Sequence, residues 1–410
     1  MRNGDGRTKY LDRYRGLSSN VLALSLVSLL NDTSSEIIYP LLPAFLALTL
    51  GASPFAIGLI EGVAESVASV LKLFSGYLSD KFGTRKLPVF LGYSLAAVTR
   101  PFLSFVTTWP QVLVVRTADR LGKGIRGSPR DALIAASVPT ADRGFAFGFN
   151  RAADNMGAVL GPVIGFLLLY SIARNADNPT AHEYQQVFLY ASIPVVLGLI
   201  VIVAFVREKD RAASANGGMP IKFSLGAFDN RFKLYLGIVA LFTLSNSSDA
   251  FLLLRAEQSG IAPVLLPILW VVLNISKVVS SLIGGHLSDI IGRRPLIVSG
   301  WIVYALVYVG FAFVGGAWQA WTLFVIYGAY FGLTEGTEKA LVADMVSEDK
   351  RGTAYGFYNL AIGITVLPAS LLFGLIWDTY GAPTAFVASA VVSVVSALLL
   401  LKLKIKKQPT

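Results

Sequence analysis

The chain has 410 residues, 54% of them hydrophobic and only 15% charged, with a mean hydropathy of +0.62. That balance describes an integral membrane protein and excludes a soluble globular core. In such a chain a net charge of +10 sits in loops that orient it, and it carries no argument for nucleic acid. The absence of cysteine excludes disulfides, thiol catalysis and thiolate metal sites. His182 and His286 are too far apart in sequence for metal-ligand spacing, so no metal or other cofactor is expected.

After a basic opening segment, apolar runs of about 20 residues or more fall near 18–50, 54–78, 87–107, 110–136, 144–173 and 186–206. A second six fall near 232–257, 262–287, 295–314, 318–345, 352–377 and 383–402. Between the sets lies a charged, then small-residue, linker beginning Arg207-Glu-Lys-Asp-Arg211. The expected units are therefore 1–206, a linker at 207–231, and 232–410. Lys and Arg concentrate in both terminal segments, the linker and the alternate loops, while the opposite loops hold essentially only Arg174. Both termini are therefore expected in the cytoplasm, with the chain spanning the cell (inner) membrane many times.

Several spans carry charges that lipid does not tolerate. The first contains Asn31-Asp32-Thr-Ser-Ser-Glu36, then Tyr39-Pro40. At about 1.5 Å per residue Asp32 lies roughly halfway across, with Glu36 one turn on. A carboxylate at that depth is costly unless paired, protonated or wetted, which makes both candidates for proton coupling. On the second span Glu61, Glu65 and Lys72 share one face, as a charge network with other helices would require. Arg100 in the third span has no partner evident from sequence. The fourth span holds Arg116, Asp119, Arg120, Lys123, Arg126 and Arg130 within roughly a third of the helix circumference, a face that must meet protein or water. Arg151 and Asp154 in the fifth are placed to answer those charges. The second half offers Asn246 and Asp249, Lys277, and Glu335, Glu338 and Lys339.

Two short stretches recur. Gly76-Tyr-Leu-Ser-Asp80-Lys-Phe-Gly83-Thr-Arg85-Lys86 matches Gly285-His-Leu-Ser-Asp289-Ile-Ile-Gly292-Arg293-Arg294, every equivalent pair being 209 positions apart. Arg143-Gly-Phe-Ala-Phe-Gly148 matches Arg351-Gly-Thr-Ala-Tyr-Gly356 at an offset of 208. One period shared by two segments means internal duplication, as in secondary transporters built from two related halves. In the hairpin, Gly76 permits close helix approach, Gly83 suits a turn of positive φ, and Asp80 is placed to meet another helix's N-terminus.

This duplicated hairpin resembles the signature loop of the major facilitator superfamily, found between its second and third helices and again between the eighth and ninth. The first copy departs at Thr84, where the family usually has Arg. Arg116 in Leu113-Val-Val-Arg116 resembles the family's fourth-helix arginine, which lines the cavity and is linked to proton coupling; Asp119 and Arg120 then stand where Gln and Gly are usual. Gly148, Gly157, Gly161, Pro162 and Gly165 follow the spacing of the antiporter motif of the superfamily's exporters, with the last glycine replaced by Phe166.

The resemblance implies an all-α fold of 12 transmembrane helices in two pseudo-symmetric six-helix bundles. Helices one, four, seven and ten line a cavity, which makes Asn31, Asp32, Arg116, Lys123, Asn246, Asp249 and Glu335 the candidate cavity groups. Gly76, Asp80, Gly83, Arg85, Gly285, Asp289, Gly292 and Arg293 become cytoplasmic latches, with Asp80 reaching the start of the eleventh span and Asp289 the start of the fifth. The implied function is proton-coupled export of small amphipathic molecules by a monomer, with Asp32, Glu36 and Arg116 as the coupling groups. Exchange of organic anions or phosphate esters is the alternative, because the fourth span is strongly basic. A membrane enzyme finds no nucleophile constellation and no phosphate loop here.

Overall fold

The computed structural model describes residues 17–82, 84–139, 142–208, 225–347 and 350–403, and among them the regular structure is entirely helical. The first six spans are α1 (Ser19–Ile38), α2 (Pro54–Phe82), α3 (Lys86–Phe102), α4 (Trp109–Ala136), α5 (Arg143–Ile172) and α6 (Ala181–Phe205). The second six are α7 (Asn230–Gln258), α8 (Leu266–Ile291), α9 (Arg293–Ala312), α10 (Ala317–Met345), α11 (Arg351–Tyr380) and α12 (Ala382–Lys402). Nine of these are by themselves long and apolar enough to cross a membrane. Of the rest, α3 has only 17 residues, α4 carries the charged face, and α10 is rich in polar and aromatic groups.

Helix ends follow local chemistry. Ser18 caps α1 by accepting the N–H of Val21 at 3.3 Å. Thr180 and Glu183 cap α6 reciprocally, the N–H of Thr180 donating to Glu183 Oε2 at 2.7 Å. Gly292 joins α8 to α9 with φ +88°, the positive-φ turn expected of the hairpin, while its counterpart Gly83 lies outside the described residues.

Two spans read as continuous in sequence are not. The helix of α1 stops at Ile38, because Pro40 and Pro43 cannot supply ladder N–H groups, and resumes as Leu42–Ala44 and a π-helical turn at Phe45–Thr49. α7 breaks between Ser245 and Ala250, where Asn246 takes a non-helical ψ of 81°. Ser245 Oγ donates to the Phe242 carbonyl at 2.6 Å, the short polar run competing with the backbone ladder.

The duplication appears in the packing. In the first half α1 lies against α5 and α6, α2 against α4, and α3 against α4 and α6. Adding six to each label gives the packing of the second half: α7 against α11 and α12, α8 against α10, and α9 against α10 and α12. The bundles meet along two equivalent seams, α2 on α11 and α5 on α8. A continuous apolar core joins them at the end away from the chain termini. There Leu41, Phe45, Ile57 and Phe188 of one bundle belong to the same cluster as Phe251, Leu269, Phe373 and Trp377 of the other. On the termini side the bundles part and leave a cavity.

Candidate functional site

The cavity, of about 530 Å³, is lined by α1 to α5 and by Asp249 and Trp270 from α7 and α8. All six charged side chains on the face of α4 line it: Arg116, Asp119, Arg120, Lys123, Arg126 and Arg130. Helix geometry thus turned a sequence spacing into one charged wall. In total eight lysines and arginines line the cavity against six carboxylates.

Most acids are already engaged. Glu61, buried behind the wall, accepts Arg116 through a fork, with NH2 at 2.8 and 3.0 Å from its two oxygens and Nε at 3.3 Å. Arg120 NH2 meets Glu65 Oε1 at 2.8 Å. Arg100 Nε meets Asp119 Oδ1 at 3.0 Å, and its two other nitrogens reach the carbonyl and side-chain oxygens of Asn31 at 2.9 and 3.0 Å. One arginine on α3 therefore ties α1 to α4. Arg130 NH1 lies 3.7 Å from Asp154 and donates to Ser28 Oγ at 3.0 Å. Asp32 accepts from Asn31 Nδ2 at 2.9 Å. Glu36 accepts Trp270 Nε1 at 2.7 Å, a bond across the two halves.

Four cations of the lining, Lys72, Lys123, Arg126 and Arg151, form no ion pair with a described residue. Arg126 is only 6% exposed; its guanidinium lies 4.4 Å from the Tyr93 ring centroid and reaches the Gly92 carbonyl at 3.4 Å.

Of the predicted cavity and coupling groups, Asn31, Asp32, Glu36, Arg116, Lys123 and Asp249 come together here. Asn246 and Glu335 do not. Asn246 turns into the second bundle and donates to Tyr330 Oη at 3.3 Å, and Glu335 is exposed and pairs with Lys339 at 3.3 Å. The reason is aromatic bulk. Trp301, Tyr304, Tyr308 and Tyr327 pack behind α7, and of the second-half candidates Asp249 is the one among the described residues that lines the cavity. Among the described residues the hydrogen bonds of Arg116 go to Glu61 within one bundle and not to Asp32 or Glu36. Trp270 escaped sequence reading altogether: a lone tryptophan in an apolar run gives no signal.

The antiporter glycines lie where α5 crosses α1. A Cβ on Gly157 would come within 3.0 Å of Asp32 Cβ, and one on Gly161 within 2.6 Å of the Thr33 carbonyl oxygen and 2.7 Å of Glu36 Cβ. Gly165 faces the Ile37 carbonyl at 3.1 Å, Pro162 is buried between them, and Gly148 faces open space. In the hairpins, the side chains of Asp80 and Asp289, with Gly76 and Gly83, lie outside the described residues. Arg85 NH1 donates to the Ala132 carbonyl at 3.1 Å, and Arg293 Nε meets Asp344 at 2.7 Å, each within its own bundle. Gly285 has no atom within 4 Å of a built Cβ.

Two like bundles around a polar cavity are the architecture of a membrane transporter. The chain belongs to the Major Facilitator Superfamily, whose family model matches residues 24–341 and 234–410. It is 35% identical over 393 residues to an uncharacterised transporter of the same type from Methanocaldococcus jannaschii, covering 94% of this chain and 95% of that one. A multidrug resistance protein, MdtG, from Citrobacter koseri is 22% identical over 390 residues, covering 90% and 91%. Among solved structures, a point mutant of the nucleoside transporter NupG superposes with a TM-score of 0.80 at 15% identity, covering 93% of this chain and 99% of that one.

Proposed function

We propose that this chain is a secondary active transporter that moves small organic anions by alternating access. Residues 1–206 and 232–410 form its two rocking units, 207–231 their linker. The observation that carries this reading is the charge of the cavity: its lysines and arginines outnumber its carboxylates eight to six, and four of them form no ion pair with a described residue. An anion that enters among these cations gains Coulomb energy and charge-assisted hydrogen bonds. The positive loops favour cytoplasmic termini and hence a cavity open to the cytoplasm of a cell (inner) membrane, with a monomer as the working unit.

A second reading has its own support. The glycines of α5 press against α1 beside Asp32 and Glu36, as in a proton-driven exporter of amphipathic molecules, and the multidrug relative fits that use. Counterflow in proteoliposomes separates the two. The anion reading expects preloaded carboxylates or phosphate esters to drive uptake of labelled anion, with no accumulation of cationic dye. Dye extrusion driven by a pH gradient, lost in Asp32→Asn or Glu36→Gln, with no anion exchange, would replace it by the second reading.

A further inference from the structure

In the second bundle, the Lys277 ammonium lies 3.7 Å from the ring centroid of Phe331, 5.1 Å from that of Trp270 and 3.6 Å from Asp249 Oδ2. Two aromatic faces and a carboxylate around one ammonium are the elements of a binding site for an organic cation. Each element is held in place. Trp270 is buried and pinned at its edge by Glu36, which fixes the ring face that Lys277 meets. Tyr327 Oη donates to Asp249 Oδ1 at 2.8 Å, leaving Oδ2 for the ammonium. Asp249 and Trp270 face the cavity while Lys277 stands behind them, its side chain 22% exposed.

We propose that Lys277 occupies, with its own ammonium, a cation site built by Asp249, Trp270 and Phe331, and thereby sets the charge preference of the cavity. This deepens the anion reading and rests on it: the tethered cation keeps organic cations out of this corner of the cavity. Without it, Asp249 would present an unpaired carboxylate between two aromatic faces, with Glu36 on the far edge of the same indole. A quaternary ammonium would then gain the cation–π and Coulomb contacts that Lys277 now makes.

The absence of cysteine in the chain makes a clean test possible. Full-length Lys277→Met, Lys277→Arg and Lys277→Cys proteins are reconstituted, and uptake of labelled tetraethylammonium is measured against wild type. Lys277→Met is expected to raise uptake about tenfold or more, the scale of a desolvated cation–π contact with a carboxylate beside it. Lys277→Arg, which refills the site, stays at the wild-type level. In Lys277→Cys, uptake is expected to rise and then to fall when 2-aminoethyl methanethiosulfonate restores an ammonium, but not after methyl methanethiosulfonate. Thermal melting in detergent establishes that each variant is folded. If folded Lys277→Met and Lys277→Cys exclude tetraethylammonium as wild type does, the assignment of Lys277 is overturned and the anion reading stands. If wild type itself takes up tetraethylammonium readily, the anion reading falls first, and the proposal with it.

Discussion

Arg116 and Glu61 are 4% and 2% exposed and joined by a fork of hydrogen bonds, so among the described residues each is the other's hydrogen-bonding substitute for water. Removing one partner leaves a buried charge unanswered. Arg116→Met is expected to cost about 3–5 kcal/mol, and the double variant with Glu61→Gln substantially less, because the second change removes the orphan. Denaturant or thermal unfolding in detergent reads this directly. A double variant no more stable than the single one would show that the pair is not the unit of stability. At this scale sequence carried a long way but not to the partners. The spacing of 61 and 65 put both acids on one face of α2, and they pair with 116 and 120, equally one turn apart on α4. Arg100 had no visible partner, since Asn31 and Asp119 come to it from two other helices and depend on how three spans cross.

For whole helices the determining contacts are backbone approaches. α5 lies on α1 because Gly157 and Gly161 remove the Cβ atoms that would strike Thr33 and Glu36. Gly161→Ala is therefore expected to cost about 1–3 kcal/mol by overpacking, or to displace α1 and with it Glu36. Gly148→Ala, at the head of the same motif, has no atom within 4 Å of the new methyl and is expected not to destabilise, gaining up to about 1 kcal/mol of helix propensity. Melting temperatures of the two variants side by side provide the check. Equal effects would mean that the motif acts through helix flexibility and not through this crossing. The same contrast explains what sequence revealed about elements. Regular spacing, whether of glycines on α5 or charges on α4, survives folding as a face. The breaks in α1 and α7 arise from prolines and short hydroxyl and amide side chains competing for backbone groups, and such competition is settled by the surroundings.

In the molecule as a whole, the doubled hairpin announced the two bundles, and the matching of packing pairs between them follows from it. The conformational state was not legible, because both states satisfy the same hydrophobic pattern. The structure shows the cavity closed at the end away from the termini, where a contact resembles in kind the latch expected of Asp80 at the opposite end. Asp378, in the last turn of α11, accepts the N–H of Phe55 at 3.0 Å, one of the unsatisfied donors at the start of α2. Alongside it Gly374 lets α11 approach until a Cβ there would lie 2.6 Å from the Pro54 carbonyl oxygen. An acid from one bundle thus caps a helix of the other across the seam that must part when the cavity reopens on the far side. An exposed contact of this type contributes about 0.3–1 kcal/mol, roughly a two- to fivefold change in the ratio of states. Asp378→Ala is expected to move that much population toward the state open at this end. Spin labels on cysteines at Ser53 and Tyr380, both exposed, would report it as a growing long-distance component in pulsed dipolar spectra. A distance distribution identical to that of the unsubstituted protein would show that the apolar core beneath, and not this cap, holds the end closed.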